Sequence, residues 1–330
     1  WEIIRFKVFT KIHSKINSTY LKRDSTRKKK LNIIRNIIKS LFQLCKLKKT
    51  DILVLSHPRR FVIDSKAFDI CTDPFLDKLS YSYVVLENMF KLDHENKIAT
   101  KYLVFLDAIK IPSRIFSYFF KIKLDVDTIQ RIRKLTEKLS LAFKVDWNIQ
   151  EILVDEVSRF IFLEKRFKKL LKKIEPKLII EVVGYSRVPK VFNYCAKNLG
   201  IPVIELQHGI MGEYHLGYSF PKIVKNKLKT FPDYLFIWGE FWKQKTRFPI
   251  EEKNIKVTGF PFLESKRQKC QSQNRSGILV LSFPVLSDLF VSEILILSEI
   301  LKNSDKVIYF KLHPNELDNS KCRYKEIRKS

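Results

Sequence analysis

The chain has 330 residues, of which 45% are hydrophobic, so it is long enough for two domains with their own cores and too apolar to be disordered. Its 63 basic and 35 acidic residues give a formal charge of +28, which points to anionic partners. Charged residues interrupt every apolar run, so no transmembrane helix is predicted, and five widely spaced cysteines fit neither a disulfide framework nor a zinc site. We therefore expect a cytoplasmic protein without a metal site.

The N-terminal segment, residues 1–50, is strongly basic. It contains fifteen Lys or Arg and two acidic residues, a net charge of +13, and residues 31–46 have the apolar spacing of a helix. Such a segment could hold the protein at the inner face of the cell membrane through anionic lipid, could bind nucleic acid, or could reflect a Lys-rich composition. Nucleic acid is the least favoured of these three interpretations.

Short apolar runs alternate with helical patterns along the rest of the chain, which predicts an α/β fold with parallel sheets. Strands are predicted at 52–56, 82–86, 102–106, 178–183, 203–206, 234–238 and 255–258. Helices are predicted within 112–174, where Pro176 follows the end, and at 188–199, where Gly200 provides the stop.

A strand signature occurs twice, as ILVLSHP at 52–58 and as ILVLSFP at 278–284. A helix at 287–302 and a strand at 307–312 are predicted after the second copy, and the polar stretch 265–276 has the composition of a linker. We therefore divide the chain into the basic segment 1–50, a Rossmann-like domain 51–264, the linker, and a partial Rossmann-like domain 277–330. The repeated signature could also arise from convergent strand composition.

All eight glycines lie between Gly184 and Gly277, and none has the spacing of a phosphate-binding glycine loop. A nucleotide would have to be held by other means.

The loop after strand 203–206 is the strongest site candidate, because ligands bind at the carboxyl edge of parallel sheets. It carries Gln207, His208, Gly209, Glu213 and His215. A neutral His208 could accept a proton from a hydroxyl or bind a phosphate, and Gly209 would let the backbone turn sharply and approach a ligand. A histidine that only caps loop carbonyls is the alternative.

Two carboxyl groups, Glu181 and Glu205, lie within apolar strand patterns. Burial would raise their pKa and could make either one a base, although such residues more often face a polar interface. The aromatic residues around the loop, Tyr218 among them, could stack on a sugar or a base, but most of them are expected in the core.

Two further strand ends carry candidate phosphate ligands. His313, Pro314 and Asn315 follow the predicted strand 307–312, which contains Lys311, and free amides of a helix start would face an anion there; Ser282 ends the repeated strand. His57, Arg59 and Arg60 follow the first strand, and the two arginines could bind phosphate or carboxylate. Ordinary turns and a solvated basic loop are the alternatives.

Several segments, taken in order, resemble the bacterial capsule and surface-polysaccharide glycosyltransferases, which are related to the CDP-glycerol glycerophosphotransferases and to the sialyl- and Kdo-transferases with a His-Pro motif. The segments are EPKLIIEVVGYS, GIPVIELQHGIMGEYHLGYSFP, FPDYLFIWGEFW, IKVTGFPFLE and IYFKLHPNE, and the resemblance covers residues 50–316.

The resemblance implies a GT-B architecture with an acceptor domain at 51–264 and a donor-nucleotide domain at 277–330. It implies that His313 and Pro314 hold the donor phosphate, and that Gln207, His208 and Gly209 lie at the interdomain cleft. It also implies a nucleotide-sugar donor, a polysaccharide or lipid-linked acceptor, and no cofactor or metal. Sixteen residues follow Pro314, so we expect a truncated donor domain. Glycerol phosphate transfer and a noncatalytic basic binding fragment are the alternative functions.

Overall fold

The computed structural model describes residues 2–16, 27–57, 59–76, 78–90, 93–95, 97–144, 146, 148–220, 225, 227–269, 277–283, 286–313 and 324. The chain divides into two compact units, Trp1–Ser265 and Lys266–Ser330.

The first unit contains a seven-stranded sheet in which every pair of neighbours is parallel. The strands of this sheet are β1 (Ile52–Leu55), β4 (Tyr83–Glu87), β5 (Leu103–Phe105), β6 (Leu178–Val182), β7 (Val203–Leu206), β8 (Tyr234–Ile237) and β9 (Ile255–Val257). Two further strands, β2 (Phe61–Ile63) and β3 (Lys66–Phe68), form a separate hairpin. The order β5-β4-β1-β6-β7-β8-β9 confirms the predicted α/β class and all seven predicted strands. The order reverses between β1 and β6, where crevices open in such sheets.

Nine α-helices accompany these strands in the described part of residues 1–269. They are α1 (Arg5–Ile16), α2 (Arg27–Lys46), α3 (Asp73–Leu76), α4 (Asp107–Phe119), α5 (Val126–Phe143), α6 (Ile149–Ile174), α7 (Arg187–Asn198), α8 (Glu240–Lys245) and α9 (Pro261–Lys269). The helical region predicted within 112–174 is three helices, because Asp125 and Asn148 cap α5 and α6 separately. Gly200 follows α7 with a φ of 70°, as expected for a helix stop.

The central strands β1, β4 and β6 are buried on both faces, which explains their uninterrupted apolar runs. Leu53 and Leu86 pack in a cluster with α6 and α7, where the rings of Phe167 and Phe192 stack at 4.1 Å. Val54 belongs to a second cluster that includes residues of α3. All four residues of β1 are buried, so this strand forms the centre of the core.

Helix α2 packs on the sheet edge through polar contacts. Ser40 donates a hydrogen bond to the carbonyl of Phe105, and Gln43 donates one to the carbonyl of Leu103. The opposite side of α2 exposes an apolar stripe beside basic side chains, formed by Ile34, Ile38, Leu41 and Phe42. The segment therefore buries part of its polar side and leaves apolar surface outside.

A buried polar network joins the loops after β1 and β4. The side chain of Arg60 is 1% exposed, and it pairs with Glu87 at 2.5 Å and Asp73 at 3.6 Å. His94 lies between Glu87 at 2.9 Å and Asp107 at 2.8 Å. Arg60 is therefore inside the fold, which corrects its predicted role as a phosphate ligand: two carboxylates already neutralise its charge.

The stability of this network is expected to depend on pH through His94. Burial lowers the pKa of His94, but the hydrogen bonds that its ring donates to Asp107 and Glu87 outweigh that effect and raise the pKa above 6.5. The imidazolium therefore stabilises the folded state fully below the unfolded pKa of about 6.5, and this contribution is lost as the pH rises through the raised native pKa. Urea unfolding should show a larger destabilisation by His94→Gln at pH 5.5 than at pH 9. An equal or larger penalty at pH 9 would contradict the charged pairing.

The second unit contains β10 (Ile278–Leu281), α10 (Ser287–Ile300) and β11 (Ile308–Lys311), with the two strands parallel. The repeated ILVL signature is therefore a strand in both places. Residues in β10 alternate between intermediate and exposed, whereas those of β1 are all buried. The stretch predicted as a linker begins within α9, and its residues 270–276 lie outside the described part of the chain.

Candidate active site

Three neighbouring strands of the first unit end at one edge and bring together His57, Tyr185 and His208. These residues follow β1, β6 and β7. The ring centroids of His57 and His208 are 5.6 Å apart, and the hydroxyl of Tyr185 lies 3.5 Å from Nε2 of His208. Sequence reasoning selected both histidines and missed Tyr185, whose position just beyond a central strand was the available signal.

His208 is held as a neutral imidazole. Burial, together with the neighbouring His57 and His215, lowers its pKa to about 3. Its Nδ1 lies 3.4 Å from the hydroxyl oxygen of Tyr218, which donates its own proton to Glu205 at 2.5 Å. The Tyr218 oxygen can therefore accept a hydrogen bond from Nδ1–H, and the lone pair is left on Nε2.

A buried pair of carboxyl groups lies behind Tyr218. Glu181 and Glu205 are directly opposite in the register of β6 and β7, and both are 0% exposed. Burial raises the pKa of both, and the charge of Glu205 raises that of Glu181 further. Glu205 accepts hydrogen bonds from Tyr218 and from the amide of Gly184 at 2.7 Å. Because neither carboxyl reaches solvent, the pair can influence His208 only through intervening groups.

Gln207 holds the loop in place. Its side chain is buried, donates to the carbonyl of Gly209 at 2.8 Å and accepts from the amide of Trp238 at 2.7 Å. The loop after β7 is thereby tied to the end of β8. The backbone bends at Gly209, but its φ is not in the left-handed region and a Cβ there would meet nothing within 4 Å, so neither strain nor crowding requires a glycine at this position.

The remaining candidates of this region have different environments. Glu213 and Arg59 are exposed. His215 packs against Tyr185 at 4.9 Å between ring centroids, its Nδ1 accepts a hydrogen bond from the amide of Gly217 at 3.1 Å, and burial lowers its pKa. His215 thus supports the His208 cluster from the side.

A cleft of about 450 Å³ opens where the strand order reverses. His57 and Tyr185 line one part of it, and α1 together with the start of α7 lines another. Its wall also carries four basic side chains, Lys7, Lys110, Arg187 and Lys190, and the carboxylate of Glu156. The cleft has the size of a small-molecule site.

In the second unit, Ser282 and His313 lie together at the carboxyl ends of β10 and β11. The amide of His313 donates to Oγ of Ser282 at 2.7 Å. Lys311, the last residue of β11, is exposed. Pro314 and Asn315 lie outside the described residues.

Within the described ranges, no group of three or more His, Cys, Asp or Glu side chains is arranged to hold a metal ion. No helix in the same ranges is long and apolar enough to cross a membrane.

No protein-family model and no curated protein matches the chain. The structure comparison finds UDP-GlcNAc 2-epimerases that are similar to this chain. The enzyme from Methanocaldococcus jannaschii is 15% identical with a TM-score of 0.42, and the match covers 84% of this chain and 69% of that one. The enzyme from Neisseria meningitidis, bound to UDP-GlcNAc, is 14% identical with a TM-score of 0.39, over 85% and 70%. The α/β class of this chain follows from its own sheet.

Proposed function

We propose that the protein is a metal-independent glycosyltransferase that moves a sugar from a nucleotide-sugar donor to a hydroxyl of a polysaccharide or lipid-linked acceptor. The observation that carries this proposal is the neutral His208 beside the cleft, with the hydroxyl of Tyr185 3.5 Å from its Nε2 and with Tyr218 and Glu205 behind Nδ1. The ordered segments that resemble capsule glycosyltransferases support the same reading independently.

In the proposed reaction, Nε2 of His208 takes the proton of the acceptor hydroxyl. The acceptor oxygen forms a bond to the anomeric carbon while the bond from that carbon to the donor phosphate oxygen breaks, and its electron pair stays on the phosphate. The pKa of about 3 belongs to the ligand-free protein. A negative charge that a bound substrate brings next to His208 would raise this pKa and make the base stronger.

The donor phosphate is proposed to bind at the carboxyl ends of β10 and β11. Lys311 would supply positive charge there, and Ser282 and His313 would supply hydrogen-bonding groups. Such groups can stabilise the negative charge on a departing phosphate. Pro314 and Asn315 complete the proposed donor site.

A lipid-linked acceptor is supported by the surface of α2. The exposed apolar stripe from Ile34 to Phe42 lies beside the exposed cations Arg35 and Lys39. Apolar side chains flanked by basic ones suit the interface of an anionic membrane.

The proposed activity predicts a new acceptor product with the added mass of one sugar. The protein would be incubated with nucleotide sugars and CDP-glycerol, each with oligosaccharide acceptors, and the products weighed by mass spectrometry. Addition of glycerol phosphate would instead assign a glycerophosphotransferase. Conversion of a donor to its isomer without any acceptor product would contradict transfer.

In the same series, His313→Ala is expected to weaken nucleotide binding at least tenfold by calorimetry, since it removes a group proposed to bind the phosphate. Lys302→Ala, in the exposed segment after α10, is the control and should bind normally. Equal affinity of the two variants would remove His313 from the donor site.

A further inference from the structure

We propose that the cleft between β1 and β6 binds an oxyanion of the acceptor, a phosphate or a carboxylate group, against Lys7, Lys110 and the first turn of α7. This inference rests on the proposed function, because it names the chemical class of the acceptor. Its evidence is separate from the histidine cluster.

The first observation is an excess of positive charge in the cleft wall. Glu156 is the acidic group there, and both of its oxygens are occupied by Arg187, at 2.5 and 2.7 Å. Lys190 donates to the backbone carbonyls of Glu2 and Ile3. Within the described residues, Lys7 and Lys110 have no hydrogen bond or ion pair from their ammonium groups.

The second observation is mutual repulsion among these cations. Burial lowers the pKa of both Lys7 and Lys110, and Arg187 lowers both further. Glu156 attracts Lys7 and Asp107 attracts Lys110, but burial still prevails in each case. Cations gathered in this way are destabilised in the ligand-free protein, and an entering anion would relieve that cost.

The third observation is the orientation of α7. This twelve-residue helix begins at Arg187, and Ser186 before it makes no capping hydrogen bond with its side chain. The first amides and the positive end of the helix dipole therefore belong to the same wall as the lysines. Val183, also in this wall, has a φ of 64°, a strained conformation for a β-branched residue.

The basic side chains lie in the same cleft as residues that contact the proposed base His208. His57 and Tyr185 line the same cleft, and both lie against His208. An acceptor fixed by its anion near α7 could thus present a hydroxyl to His208 from within one cavity. A lipid-linked diphosphate and an acidic sugar both carry the required oxyanion.

Calorimetry on the 330-residue protein without donor tests the site, using pyrophosphate and D-glucuronate as probes. Lys7→Gln/Lys110→Gln is expected to weaken binding at least tenfold. The matched control is Lys121→Gln/Lys123→Gln, which removes two exposed charges after α4 and should change binding less than twofold. Tighter binding of pyrophosphate would indicate a phosphate-bearing acceptor, and tighter binding of glucuronate an acidic sugar.

An equal loss of probe affinity in the two double variants would show diffuse attraction to a basic surface and would overturn the inference. The absence of binding of either probe to the wild type would overturn it as well. Removing a desolvated charge should leave thermal unfolding close to that of the wild type. Amide shifts of Arg187 and Val188 on addition of pyrophosphate to the wild type provide a readout that needs no variant. Anion binding without transfer would contradict only the proposed function, and transfer without anion binding only this inference.

Discussion

Replacing His208 with alanine is expected to lower the rate of sugar transfer about 10²- to 10⁴-fold, the usual contribution of a general base. The variant removes the Nε2 lone pair, while the hydrogen bond between Tyr218 and Glu205 can remain. The donor is proposed to bind in the second unit, so its affinity should be unchanged. Single-turnover rates and donor affinity by calorimetry would measure the two effects separately.

Glu213→Gln is the informative companion to that variant. Glu213 lies in the same loop and its carboxylate is exposed, which makes it the alternative base to be tested, and we expect its loss to change the rate less than threefold. A large loss with Glu213→Gln and a normal rate with His208→Ala would transfer the role of base to Glu213.

The low pKa of His208 adds a second check, because NMR of its ring protons should show no titration between pH 8 and pH 5 in the ligand-free protein.

The second large effect is expected from Gly184→Ala. A Cβ at this position would lie 2.2 Å from Oε2 of Glu205 and 2.7 Å from Oε1 of Glu181, within the fully buried carboxyl pair. The pair must shift, and the hydrogen bond from the Gly184 amide to Glu205 is disturbed. Overpacking together with a weakened buried hydrogen bond should cost about 3 kcal/mol of the free energy of unfolding.

Gly209→Ala is the matched control. The backbone there is not left-handed and a Cβ would meet nothing within 4 Å, so the change should alter stability by less than about 1 kcal/mol. Chemical unfolding of both variants under one condition would compare them. A penalty at Gly209 as large as that at Gly184 would contradict the crowding of the carboxyl pair.

The strand positions were predictable because burial on both faces leaves a local mark. ILVL at 52–55 and LIIEV at 178–182 are apolar where the sheet is covered on both sides, and they end where polar residues begin. His57 and His208 could be selected for the same reason, since parallel strands end at one edge. The alternatives that the sequence left open concerned what these side chains contact, not where in the fold they lie.

The hydrogen-bond and ion-pair partners of these side chains could not be predicted, because the partners lie far away in the sequence. From its sequence context Arg60 was predicted to bind phosphate. In the folded chain it lies between Asp73 and Glu87, to which it is paired. Tyr218 had the character of a core aromatic, and it is one, but its hydroxyl also connects Glu205 with His208.

The loop Gln207-His208-Gly209 illustrates the division most clearly. By itself the sequence determined the α/β class, the strand ends and the presence of a histidine at the carboxyl edge, because these depend on local patterns of apolar residues. The tertiary structure alone decided that His208 is neutral, that Gln207 ties two loops together, and that α1 and α7 form one basic cleft beside it. Those properties depend on burial and on contacts between residues far apart in the chain, such as Glu2 and Lys190 at a separation of 188 positions, which no local pattern records.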